Sequence, residues 1–252
     1  MALDEVAGIT AASGGPCTVR VYQWQPSTVS MGYGQSFDTI DHSLCRRSGI
    51  DIVRRPTGGG GIYHDEFGDI SYSIAIPARA VSSDLLISYR TLCDPVFDAL
   101  DSLGIAATFA ESNQPALHEP ACYLRAIDPA HDIVSKKGGR KICGNAQFRT
   151  REAVVQHGSI TFARQVEDHL SVFSDHHIDE AAFRDRVTSI RAESGNDRKT
   201  AVHTLESCLE RWSGAVDGEW TADERKLARD IADNKYATDQ WTIEREDPYS
   251  ST

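Results

Sequence analysis

Four consecutive glycines, Gly58 to Gly61, lie between two stretches that alternate like β-strands. The segment reads "VRRPTGGGGIYHDEFGDISYSIAIP", and a plain turn between strands needs only one or two glycines. Each further glycine loses more conformational entropy on ordering than any other residue would. The run therefore predicts either a flexible hairpin loop or a backbone that a ligand or another chain segment must approach closely.

The glycine run lacks the two common phosphate-binding patterns, G-x-G-x-x-G and G-x-x-x-x-G-K-[ST]. Backbone N–H groups without side chains around them can still meet the carbonyl or phosphate oxygens of a ligand. Arg54 and Arg55, directly before the loop, can add charge-assisted contacts. The residues alone leave two interpretations open, a ligand-binding loop and a flexible loop flanked by surface arginines.

The order of the patterns predicts an α+β fold, with a mixed or antiparallel sheet flanked by helices. Strand-like alternation occurs on both sides of Pro26 and again in "GDISYSIAIP". Residues 83–103 carry an apolar stripe with helical spacing, whereas residues 105–138 are irregular. Helical patterns dominate from about residue 165. We expect a single domain over 1–252, with a sheet core over about 1–165 and a helical part over about 166–252.

The formal net charge is -11, and the 26 basic residues comprise 20 Arg and only 6 Lys. An acidic chain poor in lysine repels nucleic acid, so a nucleic-acid partner is disfavoured. The charge fits either an ordinary solvated surface or a protein adapted to high salt. The sequence contains no apolar run of membrane-spanning length and no secretory leader pattern, so we expect a cytoplasmic protein without a membrane anchor.

The cysteines lack C-x-x-C spacing, which favours reduced thiols over disulfides and argues against a zinc site. The adjacent His176 and His177 lie in "SDHHIDE", a pattern more typical of a solvated helix start than of a metal site. We therefore predict no metal site. The cysteines are Cys17, Cys45, Cys93, Cys122, Cys143 and Cys208.

Lys141 lies inside the strand-like stretch "RKICGNAQFR", with small residues such as Gly144 close by in sequence. Small neighbours would let a ligand approach the lysine ammonium. A lysine in a strand is more often a solvated residue, so this segment alone leaves a binding role undecided.

Taken together, several motifs resemble those of the lipoate–protein ligase and octanoyltransferase family. The matching segments run through nearly the whole chain in the family's order. In that family the fold is the mixed sheet of the biotin/lipoate ligase catalytic domain. A strand usually precedes the first helix, so we expect either a start upstream of Met1 or one missing edge strand. The segments are "MALDE", "RRPTGGGGIYHD", "GGRKICGNAQ", "QHGSITF" and "NKYATDQW".

The resemblance implies a protein-lipoylation enzyme that places a lipoyl or octanoyl group on a specific lysine of a lipoyl domain. By the same resemblance, Lys141 lies against the acyl carbonyl and stabilises the oxyanion formed during attack. The acyl chain would occupy an apolar tunnel. The implied substrate-binding residues are Arg54, Gly58, Gly59, Gly60, Gly61, His64, Gly144 and His157.

The family contains ATP-dependent ligases, which use ATP and Mg²⁺ to form lipoyl-adenylate, and transferases, which use a cysteine thioester and need no cofactor. The stretch "HEPACYLRAIDPAHDIV" resembles the cysteine-type transferases, and no Arg-Asn-Asp-like element of the ligases is found there. Cys122 would then be the nucleophile, with a thiolate favoured by Lys141. The spacer to Lys141 is longer than in bacterial transferases, which leaves an inert thiol as the alternative; Cys143 is interpreted as a packing residue.

The resemblance also implies the partners. The acceptors would be lipoyl domains of 2-oxoacid dehydrogenase complexes or the glycine cleavage H protein, and acyl carrier protein is a candidate donor. A separate accessory subunit is expected if the chain is a ligase, because the extra C-terminal domain of large ligases has no room here. Octanoyl transfer through Cys122 is preferred over ATP-dependent ligation. A non-catalytic acyl-carrier-binding protein is a remote alternative that the presence of Lys141 disfavours.

Overall fold

The computed structural model describes residues 1–128, 130–174 and 179–249. The pair His176 and His177 lies outside these described residues. The strands are β1 (Thr18–Tyr22), β2 (Thr28–Met31), β3 (Asp51–Arg54), β4 (Ile62–His64), β5 (Asp69–Pro77), β6 (Ala107–Phe109), β7 (Ile133–Ser135), β8 (Lys141–Arg149) and β9 (Ala153–Thr161). The helices are α1 (Ala2–Ala12), α2 (His42–Arg47), α3 (Leu85–Ser102), α4 (Val166–Ser171), α5 (Glu180–Arg186), α6 (Ile190–Ser194), α7 (Arg198–Ser213) and α8 (Ala222–Ile231).

Two sheets carry the fold. The larger sheet is antiparallel throughout the described residues, with the strand order β1-β5-β9-β8-β7-β6. The smaller sheet is mixed and has the order β3-β2-β4, because β2 pairs in parallel with β3 and antiparallel with β4. The predicted α+β class with a mixed or antiparallel sheet is confirmed.

Strand β5 shows how the sequence pattern directs the packing. Its bulky residues Ile70, Tyr72 and Ile74 face a core formed with α3 and α7, including Leu92 and Leu205. The residues between them in sequence are small, as expected for the opposite face of a pleated strand. Both faces are buried, because helix α1 packs against the second face.

The two long helices, α3 and α7, each begin at an aspartate whose side chain caps the first turn. The Asp84 carboxylate accepts a hydrogen bond from the Ile87 N–H and starts α3, and Asp197 does the same for α7 through the Thr200 N–H. Gly214 ends α7 in the left-handed conformation at φ 66°, which glycine adopts without strain. From residue 166 onward the described elements are helical and include α4 to α8.

The C-terminal segment crosses behind the strand that leads to the glycine run. Two π-helical turns, Ala232–Tyr236 and Gln240–Glu244, follow α8. The Trp241 indole N–H donates to the Arg54 carbonyl at 2.7 Å, and the ring is 1% exposed. The segment "NKYATDQW", which ends at Trp241, therefore stabilises the end of β3 through this hydrogen bond.

Candidate active site

A cavity of about 550 Å³ lies between the two sheets. Ile62 comes from the smaller sheet and Ala146 from the larger one. The volume is within the range of about 300–1,000 Å³ that small-molecule sites occupy. Eight of the residues predicted from the sequence line it: Gly58, Gly59, Gly60, His64, Cys122, Lys141, Gly144 and His157.

Arg55 binds the main-chain carbonyl groups of the glycine loop. Its guanidinium donates to the carbonyls of Gly58 at 2.8 Å, Gly60 at 2.7 Å and Ser30 at 2.7 Å. Burial lowers the pKa of Arg55 to about 10, which still leaves it a cation at neutral pH. The arginine is 3% exposed, so the interpretation of a flexible loop with surface arginines is wrong.

The backbone at Gly59 and Gly60 packs closely against other segments of the chain. A Cβ atom on Gly32 would overlap the Gly59 carbonyl oxygen, so these two backbones touch. A Cβ atom on Gly60 would lie 2.7 Å from the Pro120 oxygen and 2.9 Å from the Cys122 nitrogen. Gly59 also has φ 95°, a conformation that side chains disfavour. The run is thus a packed wall of the cavity.

Two predicted residues, Arg54 and Gly61, do not line this cavity. Arg54 is fully buried, and its guanidinium donates to main-chain carbonyls outside the cavity, among them those of Gly32 and Thr242. Arg54 therefore lies outside the cavity lining, and Arg55 is the arginine that lines it. The two arginines are neighbours on an extended chain, so their side chains leave on opposite faces.

Gly61 instead joins the glycine loop to the segment that carries the cysteine. The Gly61 N–H donates to the Pro120 carbonyl at 2.7 Å, and the Cys122 N–H donates to the Gly61 carbonyl at 2.8 Å. Cys122 then begins a single 3₁₀ turn, Cys122–Leu124, and is partly buried at the cavity wall. The backbone of Cys122 is thereby fixed against the glycine run.

Lys141 points its ammonium at the same segment. Its Nζ atom lies 3.8 Å from Cys122 Sγ and 3.3 Å from the Cys122 carbonyl oxygen. Burial lowers the pKa of Lys141, but the negative charges of Cys122 and Asp132 outweigh it and leave the pKa above its ordinary value. The lysine is 3% exposed, so it is a buried cation rather than a solvated strand residue.

Gly144 leaves room for this pair. A Cβ atom at residue 144 would lie 3.3 Å from Lys141 Cε and 3.7 Å from Cys122 Sγ. The first distance is tighter than ordinary van der Waals contact, so an alanine would press on the lysine side chain. The glycine predicted from the motif thus borders both reactive groups.

Asp132 is the site residue that the sequence reasoning missed. Its Oδ1 atom lies 2.8 Å from Lys141 Nζ, and its side chain is 3% exposed. It lies in the stretch 105–138, where the sequence shows no periodicity. The available signal was the position of Asp132 directly before the apolar pair Ile133 and Val134. An acidic side chain next to a buried strand is buried only if it is paired.

His64 belongs to a buried polar network at another wall of the cavity. Its Nε2 atom lies 2.8 Å from Ser30 Oγ, and its Nδ1 atom lies 3.2 Å from an Asp69 carboxylate oxygen. Asp69 also accepts hydrogen bonds from the hydroxyls of Ser71 and Ser159. The imidazole ring stacks on the Trp24 ring at a centroid distance of 4.4 Å. These contacts give the cavity a rigid wall with one aromatic face.

His157 lies on β9, at the cavity wall, with its Nε2 atom 2.8 Å from Thr57 Oγ1. Burial lowers the pKa of His157 to about 4, so the ring is neutral at physiological pH. A neutral ring held by Thr57 suits a wall residue next to the glycine loop. It brings no positive charge to the site.

A family model described as the lipoyl protein ligase A/B catalytic domain matches residues 1–210. The chain belongs to this family. The predicted enzyme class, an acyltransferase or ligase of protein lipoylation, is thereby confirmed.

Individual relatives within the lipoyl ligase family cover almost the whole chain. An octanoyltransferase LipM from Geobacillus kaustophilus is 31% identical, over 97% of this chain and 93% of its own length. An octanoyltransferase LipM from Anoxybacillus flavithermus is 30% identical over the same shares. Both are named as transferases.

Solved structures share the fold. A lipoate-protein ligase A bound with ATP matches with a TM-score of 0.79 at 23% identity, covering 96% of this chain and 92% of its own. A bi-partite lipoate protein ligase from Thermoplasma acidophilum, described with its E2 lipoyl domain, matches with a TM-score of 0.76 at 23% identity. It covers 96% of this chain and 89% of its own. At these identities the likeness establishes the architecture.

Two further findings concern the described residues alone. They contain no helix of the length and apolarity that a membrane span requires. They also contain no group of three or more His, Cys, Asp or Glu side chains arranged to hold a metal ion.

Proposed function

We propose that this family member is an octanoyltransferase that works through a thioester on Cys122. The observation that carries the proposal is the pairing of Cys122 Sγ with the buried ammonium of Lys141 at 3.8 Å, on the wall of the cavity. A cation beside a thiol favours the thiolate, which is the nucleophilic form. The names of the relatives as octanoyltransferases support the same reaction.

The first step loads the enzyme. The Cys122 thiolate attacks the carbonyl carbon of an octanoyl thioester carried by acyl carrier protein, and a carbon–sulfur bond forms. The Lys141 ammonium stabilises the oxyanion of the tetrahedral intermediate. The intermediate collapses, the bond to the carrier's sulfur breaks, and that sulfur leaves as a thiolate that takes a proton from water.

The second step delivers the acyl group. The neutral amine of a lipoyl-domain lysine attacks the Cys122 thioester, and the same ammonium again faces the developing oxyanion. The amine loses a proton to solvent as the amide forms. Cys122 leaves as a thiolate, which the adjacent Lys141 cation stabilises, and the enzyme returns to its starting state.

The cavity suits a medium-length acyl chain. Moving an eight-carbon chain out of water contributes about 0.8 kcal/mol per CH₂ group, or roughly 5 kcal/mol in all. The inner wall is less apolar than the tunnel expected from the family resemblance, since Ser30 and Ser71 line it. Their hydroxyls already bond to His64 and Asp69, so they present paired groups to the chain.

The partners follow from the proposed reaction. The acceptor is a lipoyl domain of a 2-oxoacid dehydrogenase complex or the glycine cleavage H protein, and the donor is octanoyl-acyl carrier protein. The proposal places the enzyme in the cytoplasm and requires neither ATP nor Mg²⁺. The competing reaction is ATP-dependent ligation of free lipoate, which does not use Cys122.

The proposal is tested with a purified lipoyl domain in two parallel reactions. One contains octanoyl-acyl carrier protein, and the other contains lipoate, ATP and Mg²⁺. Intact mass reports acylation of the domain in each. We expect acylation in the first reaction, lost in Cys122→Ser and retained in the control Cys17→Ser, which changes an exposed thiol. Acylation only in the second reaction, unaffected by Cys122→Ser, would establish a ligase instead.

A further inference from the structure

Asp132 forms a buried ion pair with Lys141, beside the cysteine. Its Oδ1 atom lies 2.8 Å from Lys141 Nζ, and both side chains are 3% exposed. Asp132 precedes β7, whereas Cys122 belongs to the 3₁₀ turn ten residues earlier in the chain. The lysine therefore meets a carboxylate and a thiol that different chain segments provide.

The donor geometry of Lys141 makes this arrangement specific. An ammonium has three N–H donors and no acceptor. Lys141 donates to the Cys122 carbonyl oxygen at 3.3 Å, and its ammonium is also held by the ionic contact with Asp132 Oδ1 at 2.8 Å. The remaining contact is with Cys122 Sγ, 3.8 Å away, beside the space that Gly144 leaves open.

Asp132 is itself held in place, so it can act as an anchor. Its Oδ2 atom accepts a hydrogen bond from the Asp128 N–H at 2.9 Å. Its backbone carbonyl accepts from the Ala110 N–H at 3.0 Å. Because other residues hold both the carboxylate and the backbone of Asp132, its position does not depend on Lys141. The carboxylate therefore sets where the ammonium lies.

We infer that Asp132 is a positioning residue for acyl transfer, which fixes the direction and the charge of the Lys141 ammonium. This inference rests on the proposed transfer through Cys122. Asp132 acts through Lys141 alone, since the lysine lies between the carboxylate and the sulfur atom. An acyl oxyanion formed at Cys122 would receive the one donor of Lys141 that Asp132 and the Cys122 carbonyl do not occupy.

The charge of Lys141 depends on every group that faces it. These are Cys122 and the Tyr123 ring from the 3₁₀ turn, Asp132 from the segment before β7, and Cys143 from its own strand. Burial lowers the pKa of Lys141, while Cys122 and Asp132 raise it. Without the Asp132 carboxylate, less negative charge offsets the effect of burial on the pKa of Lys141. The ammonium then loses its proton at a lower pH. Activity that needs the ammonium then disappears at a lower alkaline pH.

The test is single-turnover formation of octanoyl-enzyme from octanoyl-acyl carrier protein, followed from neutral to alkaline pH. For Asp132→Asn we expect a rate lower by about tenfold to 10²-fold at neutral pH, because a displaced ammonium no longer meets the oxyanion. We also expect its alkaline limb to move to lower pH, with KM for the carrier unchanged. Asp132→Glu keeps the charge but displaces it, so its rate should fall while its alkaline limb stays close to that of the wild type.

A matched control and a fold check complete the experiment. Asp101→Asn removes an exposed carboxylate near the end of α3 and should keep the wild-type rate and pH profile. Thermal unfolding shows that each variant is folded, and Asp132→Glu carries the test if Asp132→Asn is not. Wild-type rates and pH limbs in the folded Asp132 variants would overturn the inference. A wild-type enzyme that forms no octanoyl-Cys122 would instead overturn the proposed function on which it rests.

Discussion

The Nζ atom of Lys141 lies 3.8 Å from the Sγ atom of Cys122, although 19 residues separate them in sequence. Strand β8 positions the lysine, and backbone hydrogen bonds to Gly61 position the cysteine. Gly60 explains this second attachment, because a side chain at this position would collide with the backbone of Pro120 and Cys122. The glycine run therefore shapes the cavity and places the proposed nucleophile.

Removal of the Lys141 charge should abolish transfer. For Lys141→Gln we expect a loss of at least about 10²-fold in acyl transfer, typical for loss of an oxyanion donor. The variant should also be destabilised by about 3–5 kcal/mol, because the buried Asp132 carboxylate loses its counter-charge. Lys141→Gln/Asp132→Asn removes both charges and should regain stability in urea unfolding while remaining inactive. Transfer at the wild-type rate by either variant would contradict the role of the lysine.

The close approach of Gly32 and Gly59 should be sensitive to one methyl group. Gly32→Ala places a Cβ atom against the Gly59 carbonyl, so the glycine loop must move. We expect a loss of about 1–3 kcal/mol in stability, typical of overpacking, together with reduced transfer. Gly34→Ala is the matched control, because no atom lies within 4 Å of its added Cβ, and it should be neutral within about 0.5 kcal/mol. Equal thermal unfolding of the two variants would be evidence against a packed loop.

Acid should destabilise the protein through buried neutral histidines. Burial lowers the pKa of His169 to about 3, well below the ordinary value of about 6.5 in the unfolded chain. Between these values the unfolded state binds the extra proton, so stability is present above about pH 6.5 and falls as the pH drops toward 3. His157, with a pKa of about 4, acts in the same direction down to its own pKa.

His169→Phe should reduce this acid sensitivity. The ring packs among aromatic residues including Tyr63 and Phe183, and its Nε2 atom has no hydrogen-bond partner within the described part of the chain. Between pH 7 and pH 5, urea unfolding of the variant should lose about 2 kcal/mol less than that of the wild type. His203→Gln, exposed on α7, should keep the wild-type difference. An unchanged difference in His169→Phe would show that His169 is not buried in the neutral form.

The C-terminal segment should stabilise the site through Trp241. Trp241→Phe removes the indole donor from the Arg54 carbonyl and leaves that buried oxygen without this hydrogen bond. We expect a loss of about 1–3 kcal/mol in urea unfolding, the cost of an unsatisfied buried polar group. Trp212→Phe, on α7, controls for ring size and should cost less. A smaller loss for Trp241→Phe than for Trp212→Phe would exclude the proposed support.

Local patterns predicted the longer strands and helices, and motifs predicted eight residues of the cavity wall. The alternation in β5 and the helical stripe over residues 83–103 each follow from a single repeating contact, so the sequence is sufficient to recognise them. The motifs around Lys141 and the glycine run named eight residues that the fold brings to one cavity. These residues were recognised because the motifs and their order resemble a known family. Physical reasoning from the residues alone left their roles open.

The remaining features depend on tertiary contacts that a sequence does not display. Arg54 and Arg55 are adjacent and chemically identical, and only the position of the C-terminal segment decides which of them faces the cavity. Asp132 lies in a stretch without periodicity, where short strands are held by neighbours rather than by propensity. Its pairing with Lys141 follows from the register of β7 and β8, which includes an irregularity between Ile133 and Val134.

The most decisive experiment is direct detection of the acyl-enzyme. The protein is mixed with octanoyl-acyl carrier protein without ATP, quenched in acid, and analysed by intact mass and peptide mapping. We predict one octanoyl group attached to Cys122, absent in Cys122→Ser and lost when a lipoyl domain is added as it becomes acylated. Acylation of the domain with no adduct on Cys122 at any time, or with full activity in Cys122→Ser, would contradict transfer through the cysteine.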